Sequence, residues 1–163
     1  MTPTTDAPTP TAAALEIRGT APGLLAPEFD LPRLADSETD AERLSFADLP
    51  GAPTVLSFWT TWCPYCRRQT PVLVDASSRY ANVRFVGIDV KEDATLVRSY
   101  VEDNQIPYAI ALDTDGAVAE EFMVRGFPTT YFLDAEGRVV ARHVGQLTTE
   151  LLDDYLNRFP TTD

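Results

Sequence analysis

The chain has 163 residues, 44% of them hydrophobic, with 25 acidic against 13 basic side chains and a formal net charge of −12. That length suits one domain with a core that needs no covalent staples, and the acidity argues against nucleic acid and anionic membrane surfaces as partners. No stretch approaches the roughly 18 consecutive apolar residues of a membrane span, and two cysteines are too few for a disulfide scaffold.

The first 21 residues, rich in Thr, Pro and Ala, read as a flexible tail. They have neither the basic start nor the long apolar run of a secretory signal. As encoded the chain is therefore expected in the cytoplasm, or as the soluble part of a protein whose anchor lies elsewhere. "APEFDLPRL" (26–34) is extended, because Pro27 and Pro32 exclude a helix interior. "SFADLPGAP" (45–53) is a short helical turn closed by Pro-Gly. "TVLSFW" (54–59) is a buried strand, and the cysteines follow at once, leading into a helix that carries Leu73, Val74 and Ser77.

"VRFVGIDV" (83–90) is a second buried strand. In 93–105 Leu96, Val97, Tyr100 and Val101 recur at helical spacing. "PYAIALD" (107–113) is a third strand and 116–124 a short helix. Strands 129–134 and 138–144 form a hairpin across "AEG". Thr148 or Thr149 caps a last helix whose Leu151, Leu152, Tyr155, Leu156 and Phe159 face the core. Strands alternating with helices predict an α/β architecture, a sheet with helices on both faces and an N-terminal extension, over 22–160.

Cys63 and Cys66 are the only cysteines. Structural zinc needs about four ligands, and only His143 and carboxylates remain, so no metal site is expected and no cofactor is required. A bridge closing so small a loop adds little stability. Two inert buried cysteines are opposed by the context, a strand end running into a helix start. Helix N-termini present unpaired N–H groups and the positive end of the dipole, which stabilise a thiolate. Pro64 suits the first helical turn, and Cys66 follows one turn on. An attacking thiol beside a resolving thiol is the requirement of disulfide exchange. Cys63 is assigned the attack and is expected to be the more exposed; Cys66 is the resolving thiol. A peroxidase is an alternative: Thr60 stands three before Cys63, as in peroxiredoxins, but Leu56 stands where those proteins have Pro, and no third cysteine exists.

The segments "APEFDLPRL", "LSFADLPGAPTVLSFWTTWCPYC", "GFPTTYFLDAEGRVV" and "HVGQLT", in that order, resemble the thioredoxin superfamily, in particular its TlpA/ResA/CcmG-like thiol–disulfide oxidoreductases. The resemblance runs from about residue 22 to 159. It implies the thioredoxin fold with a mixed sheet, a monomer, and exchange with protein thiols and disulfides, an upstream redox donor or acceptor protein among them. It also implies an extracytoplasmic location if an anchor is missing. By the resemblance Pro128 is the cis-proline that turns the backbone of Phe127 toward the cysteines. Trp62, Pro64 and Tyr65 complete a substrate-binding surface, Pro71 bends the active-site helix, and Trp59 is core. Two departures stand out. Ser57 and Gln69 occupy positions where relatives carry acids that move protons at the second thiol, so the base for Cys66 is unassigned, with Asp89 or a water as the candidate substitute. The Pro-Tyr between the cysteines resembles glutaredoxins, but the acidity of the chain does not. A redox metallochaperone of the Sco kind, using both cysteines and His143, is the remaining alternative.

Overall fold

The computed structural model describes residues 17–35 and 42–159. A small hairpin comes first, β1 (Asp30–Pro32) antiparallel to β2 (Arg43–Ser45), followed by a 3₁₀ turn at Phe46–Asp48. Then come β3 (Thr54–Trp59), α1 (Pro64–Arg79), β4 (Arg84–Val90), α2 (Ala94–Asp103), β5 (Ala109–Asp113), α3 (Ala117–Glu121), β6 (Thr129–Leu133), β7 (Val139–Val144) and α4 (Thr149–Leu156). The main sheet has the order β5-β4-β3-β6-β7. β3 is its centre, parallel to β4 and antiparallel to β6, and all six of its residues are buried.

Alternation along the strands divides the core. Leu56, Phe58, Val86, Ile88, Tyr131 and Leu133 face one way, under the N-terminal segment and α3. Val55, Phe85, Phe132 and Ala141 face the other, against Leu73 and Ala76 of α1 and Leu152 and Leu156 of α4. At the end of the strands Trp59, Ile110 and Leu112 pack with Val97 and Tyr100 of α2 and with both cysteines. The thioredoxin fold expected from the sequence is thus formed, with helices on both faces.

Differences from the sequence expectation lie at the edges. β2 has three residues and no alternation to betray it; it exists because β1 is there to pair with. β5 starts at Ala109, two residues after Pro107, which has no N–H for a ladder. Residues 1–16 of the expected tail, and 36–41, lie outside the described residues. Residues 17–21 are joined to the body: Arg18 bridges to Leu25, pairs with Glu28 at 3.0 Å and lies over the Phe46 ring.

Candidate active site

The site forms where the central strand runs out. β3 ends at Trp59, residues 60–63 turn over the sheet edge, and α1 begins at Pro64. Cys63 is the N-cap of α1: its backbone is extended and its Sγ accepts a hydrogen bond from Cys66 N–H at 3.3 Å. Pro64 occupies the first turn, where an N–H would have no helical partner. The Cys63 thiol also donates to the Phe127 carbonyl at 3.5 Å. The first sulfur therefore lies between an N–H of its own helix and a carbonyl of the α3–β6 loop. The N-terminus of a 16-residue helix favours negative charge, the form an attacking sulfur takes.

The expected difference in exposure is not found: Cys63 is 4% exposed and Cys66 3%. Phe127 packs against the cluster that holds Trp59 and both cysteines, so the α3–β6 loop covers the first cysteine as the helix covers the second. Burial, and then the hydrogen bond with Cys63, push the Cys66 thiol up; the Thr60 backbone acts in the opposite direction, and the charge of Cys63 adds a smaller upward push.

Beneath Cys66 is a gap of about 10 Å³ lined in part by Ser57, Trp59, Gln69 and Thr70. Gly87 of β4 also borders it, and a Cβ there would come within 2.8 Å of the Trp59 indole nitrogen. Gln69 Nε2 donates to Ser57 Oγ at 3.3 Å, and Gln69 Oε1 accepts from Leu147 N–H at 2.8 Å. The Thr70 hydroxyl donates to the Cys66 carbonyl at 3.0 Å and lies 2.8 Å from Tyr100 Oη. The two residues that replace family acids thus bond to each other and to the loop before α4.

Asp89, the alternative base, is set elsewhere. It is buried at the end of β4, opposite Trp59 and Leu112 in the ladder, and its oxygens receive no hydrogen bond from a described residue. Burial comes first, then Glu92 as hydrogen-bond acceptor and as like charge; together they push its carboxyl up to about 9. Glu92 in turn accepts from Thr61 N–H and Thr61 Oγ1, each at 2.6 Å. Arg67 Nε donates to the Thr61 carbonyl at 2.8 Å. The turn before Cys63 is held from both sides.

Of the remaining sequence-derived residues, Pro128 is buried and the Phe127–Pro128 peptide is cis. The loop is tied by Thr129 Oγ1 to the Gly126 carbonyl at 2.7 Å and by Gly145 N–H to the Pro128 carbonyl at 2.8 Å. Trp62 and Tyr65 are open at 67% and 55%, and the Trp62 ring stands edge-on to Phe127 at 6.2 Å. Pro64 is exposed between them. Trp59 is core, as expected. His143 is half-buried on β7 and lies 3.0 Å from Tyr155 Oη; no metal-binding group of three or more His, Cys, Asp or Glu exists among the described residues. Glu92, Thr61, Arg67 and Leu147 carry no sequence signal for their roles, since each acts through a contact between distant segments.

A family model described as the AhpC/TSA family matches residues 22–142. The chain is 29% identical over 130 residues to the thiol-disulfide oxidoreductase ResA of Bacillus subtilis, across 78% of this chain and 73% of that protein. It is 35% identical over 120 residues to the thiol:disulfide interchange protein DsbE of Pseudomonas aeruginosa, across 73% of this chain and 64% of that one. The crystal structure of a secreted Mycobacterium tuberculosis disulfide oxidoreductase homologous to E. coli DsbE superposes with a TM-score of 0.70 at 26% identity, covering 79% of this chain and 94% of that one.

Proposed function

This chain belongs to the AhpC/TSA family and is a thioredoxin-like thiol–disulfide oxidoreductase, and on that premise we propose that Cys63 and Cys66 of its C-P-Y-C motif exchange disulfides with protein partners. The observation that carries the proposal is the Cys63 sulfur at the head of α1, 3.3 Å from Cys66 N–H and 3.5 Å from the Phe127 carbonyl. In the reducing direction the Cys63 thiolate attacks one sulfur of a partner disulfide. A mixed disulfide forms, and the partner's other sulfur leaves as a thiolate and takes a proton. Cys66 gives up its proton, attacks Cys63 Sγ and forms the Cys63–Cys66 disulfide, releasing the partner's second thiol. Two electrons and two protons pass to the partner, and an upstream redox protein of opposite direction resets the pair. The oxidising direction is the reverse, and the potential of the pair against its compartment selects between them.

Trp62, Pro64, Tyr65, Phe127 and Pro128 form the surface that receives the partner. The exposed rings of Trp62 and Tyr65 flank Cys63, and the Phe127 backbone offers groups to an added strand. The protein works outside the cytoplasm, supported by the secreted relative of similar fold; among the described residues no helix is long and apolar enough to cross a membrane.

Trapping tests the reading. In Cys66→Ser the attack remains while resolution is lost. After mixing with an oxidised substrate protein, peptide mapping should find the adduct on Cys63. Adducts confined to Cys63→Ser would reverse the roles. Rapid peroxide consumption by the wild type, with no adduct in either variant, would favour the peroxidase.

A further inference from the structure

Beyond the cysteines, a groove of about 520 Å³ opens beside Trp62 and Phe127, between the end of β4 and α3. That volume is in the range that accepts a ligand or a large side chain with its neighbours. Its walls include Val124 and Met123, and Met123 is 51% exposed, an apolar side chain left open next to the exposed Trp62.

The charge of the groove opposes that of the protein. The net charge of the chain is −12, yet the lining carries Lys91 and Arg125 against a single acid, Glu120. Lys91 is the chain's only lysine. Neither cation forms an ion pair or hydrogen bond with a described residue, although acidic side chains abound. The Lys91 stem lies across Gly116: a Cβ there would meet Lys91 Cε at 2.5 Å. The absence of a side chain at Gly116 thus gives the stem its course. Lys91 and Met123 also have left-handed backbones, φ 58° and 55°. Side chains other than glycine adopt that conformation at a cost, and such positions gather at ligand clamps and functional sites.

We propose that this groove binds the segment flanking the reactive cysteine of a partner protein, and that it selects a segment with a large apolar residue and a carboxylate. The inference rests on the disulfide-exchange reading above. The apolar side chain enters against Val124 and Met123, and the carboxylate meets Lys91 and Arg125. The adjoining Phe127, whose carbonyl contacts Cys63, brings the partner's sulfur within reach of the attacking thiol. The selected partner is therefore acidic around its cysteine, despite the acidity of this protein as a whole.

The test uses three short synthetic peptides. Each has one cysteine held as a mixed disulfide with a chromophoric aromatic thiol, and they differ only in the flank: Leu-Asp, Leu-Lys or Ser-Ser. The reduced wild-type protein releases the aromatic thiol as Cys63 attacks the mixed disulfide, and the second-order rate constant is read from absorbance. The Leu-Asp peptide is expected to react about tenfold faster than the Leu-Lys peptide at low ionic strength, with the ratio shrinking as salt is added. In Lys91→Gln and in Arg125→Gln, each a change at an exposed position, that ratio should fall at least twofold, while the rate constant for the Ser-Ser peptide stays close to that of the wild type. Equal rates for the three peptides would overturn the groove's selectivity while leaving disulfide exchange standing. A wild-type ratio that both variants keep would overturn the part given to the cations. No release from any peptide would overturn the exchange reading and this inference together.

Discussion

Beneath Cys66 the buried polar groups are neutral and, apart from the Trp59 indole N–H, bonded to one another or to backbone, whereas around Asp89 they are acidic and short of donors. Both sets flank the end of β3, on the same face of the sheet. Gln69 spends its amide on Ser57 and Leu147, and Thr70 is bonded to the Cys66 carbonyl and lies beside Tyr100 Oη. Asp89 has no donor among the described residues and lies under the influence of Glu92, which grips Thr61. Neutral pairs hold their geometry at any pH that leaves the thiols alone. Burial first, and then the nearby Glu92, keep the Asp89 carboxyl protonated to higher pH than usual, so its charge changes with pH. The second thiol is thus surrounded by fixed dipoles, and the Asp89 carboxyl lies against the Glu92 side chain that holds the turn leading to Cys63.

The strongest way to break this contrast is to remove the sulfurs. Cys63→Ser should lose turnover with any protein disulfide entirely, while its far-ultraviolet circular dichroism stays that of the wild type. Residual turnover at more than about one hundredth of wild type would show that Cys66 can attack unaided, against the upward push that burial gives its thiol.

Asp89→Asn is the next largest. The Asp89 carboxyl lies at about 9 in the folded chain against an ordinary 3.8. Between those values the folded protein holds a proton that the unfolded chain has released, so stability falls as pH rises through this window and levels off above it. The asparagine variant should lack this component of the slope. Its Tm at pH 8 should exceed that of the parent by several degrees, since about 1 kcal/mol moves Tm by roughly 2–4 °C for a chain of this size. Thermal unfolding from pH 5 to 9 reads it; parallel Tm curves for the two proteins would remove Asp89 from the account.

On the neutral side, Gln69→Ala leaves Leu147 N–H and Ser57 Oγ without partners in the interior. The loss should be about 1–3 kcal/mol in denaturant unfolding, the penalty of an unsatisfied buried group. Gln69→Glu sharpens the same point: a carboxylate beside Cys66 should slow alkylation of that thiol, measured in a Cys63→Ser background, and add an acidic limb to its pH profile. An unchanged profile would mean that position 69 does not sense the sulfur.

Smallest is Glu92→Gln. It removes the like charge and the best acceptor from Asp89 but leaves the larger cause, burial. The Asp89 carboxyl should move down while staying above its ordinary range, and the stability slope should shift to lower pH without vanishing. Carboxyl chemical shifts followed through a pH titration would register it.

The order of elements was determined by the residues themselves. β3 shows as a run of five apolar or β-branched residues interrupted only by Ser57, α2 by its recurring Val97 and Tyr100, and α4 by its threonine cap and leucine stripe, because burial imposes the periods of strand and helix on the chain. The placement of the cysteine pair at the head of α1 was equally legible, since a strand end, a proline and cysteine spacing of one helical turn are all local. Tertiary structure decided what depends on distant contact. It buried Cys63 to nearly the depth of Cys66 by laying the Phe127 loop over it. It turned Gln69 toward Ser57 and Leu147, set Asp89 with Glu92, and assembled a basic-rimmed groove from Lys91 and Arg125, 34 positions apart in the chain. A pattern of neighbours in sequence encodes which face of an element is buried; which residue of another element it meets is fixed only when the sheet order brings the two together.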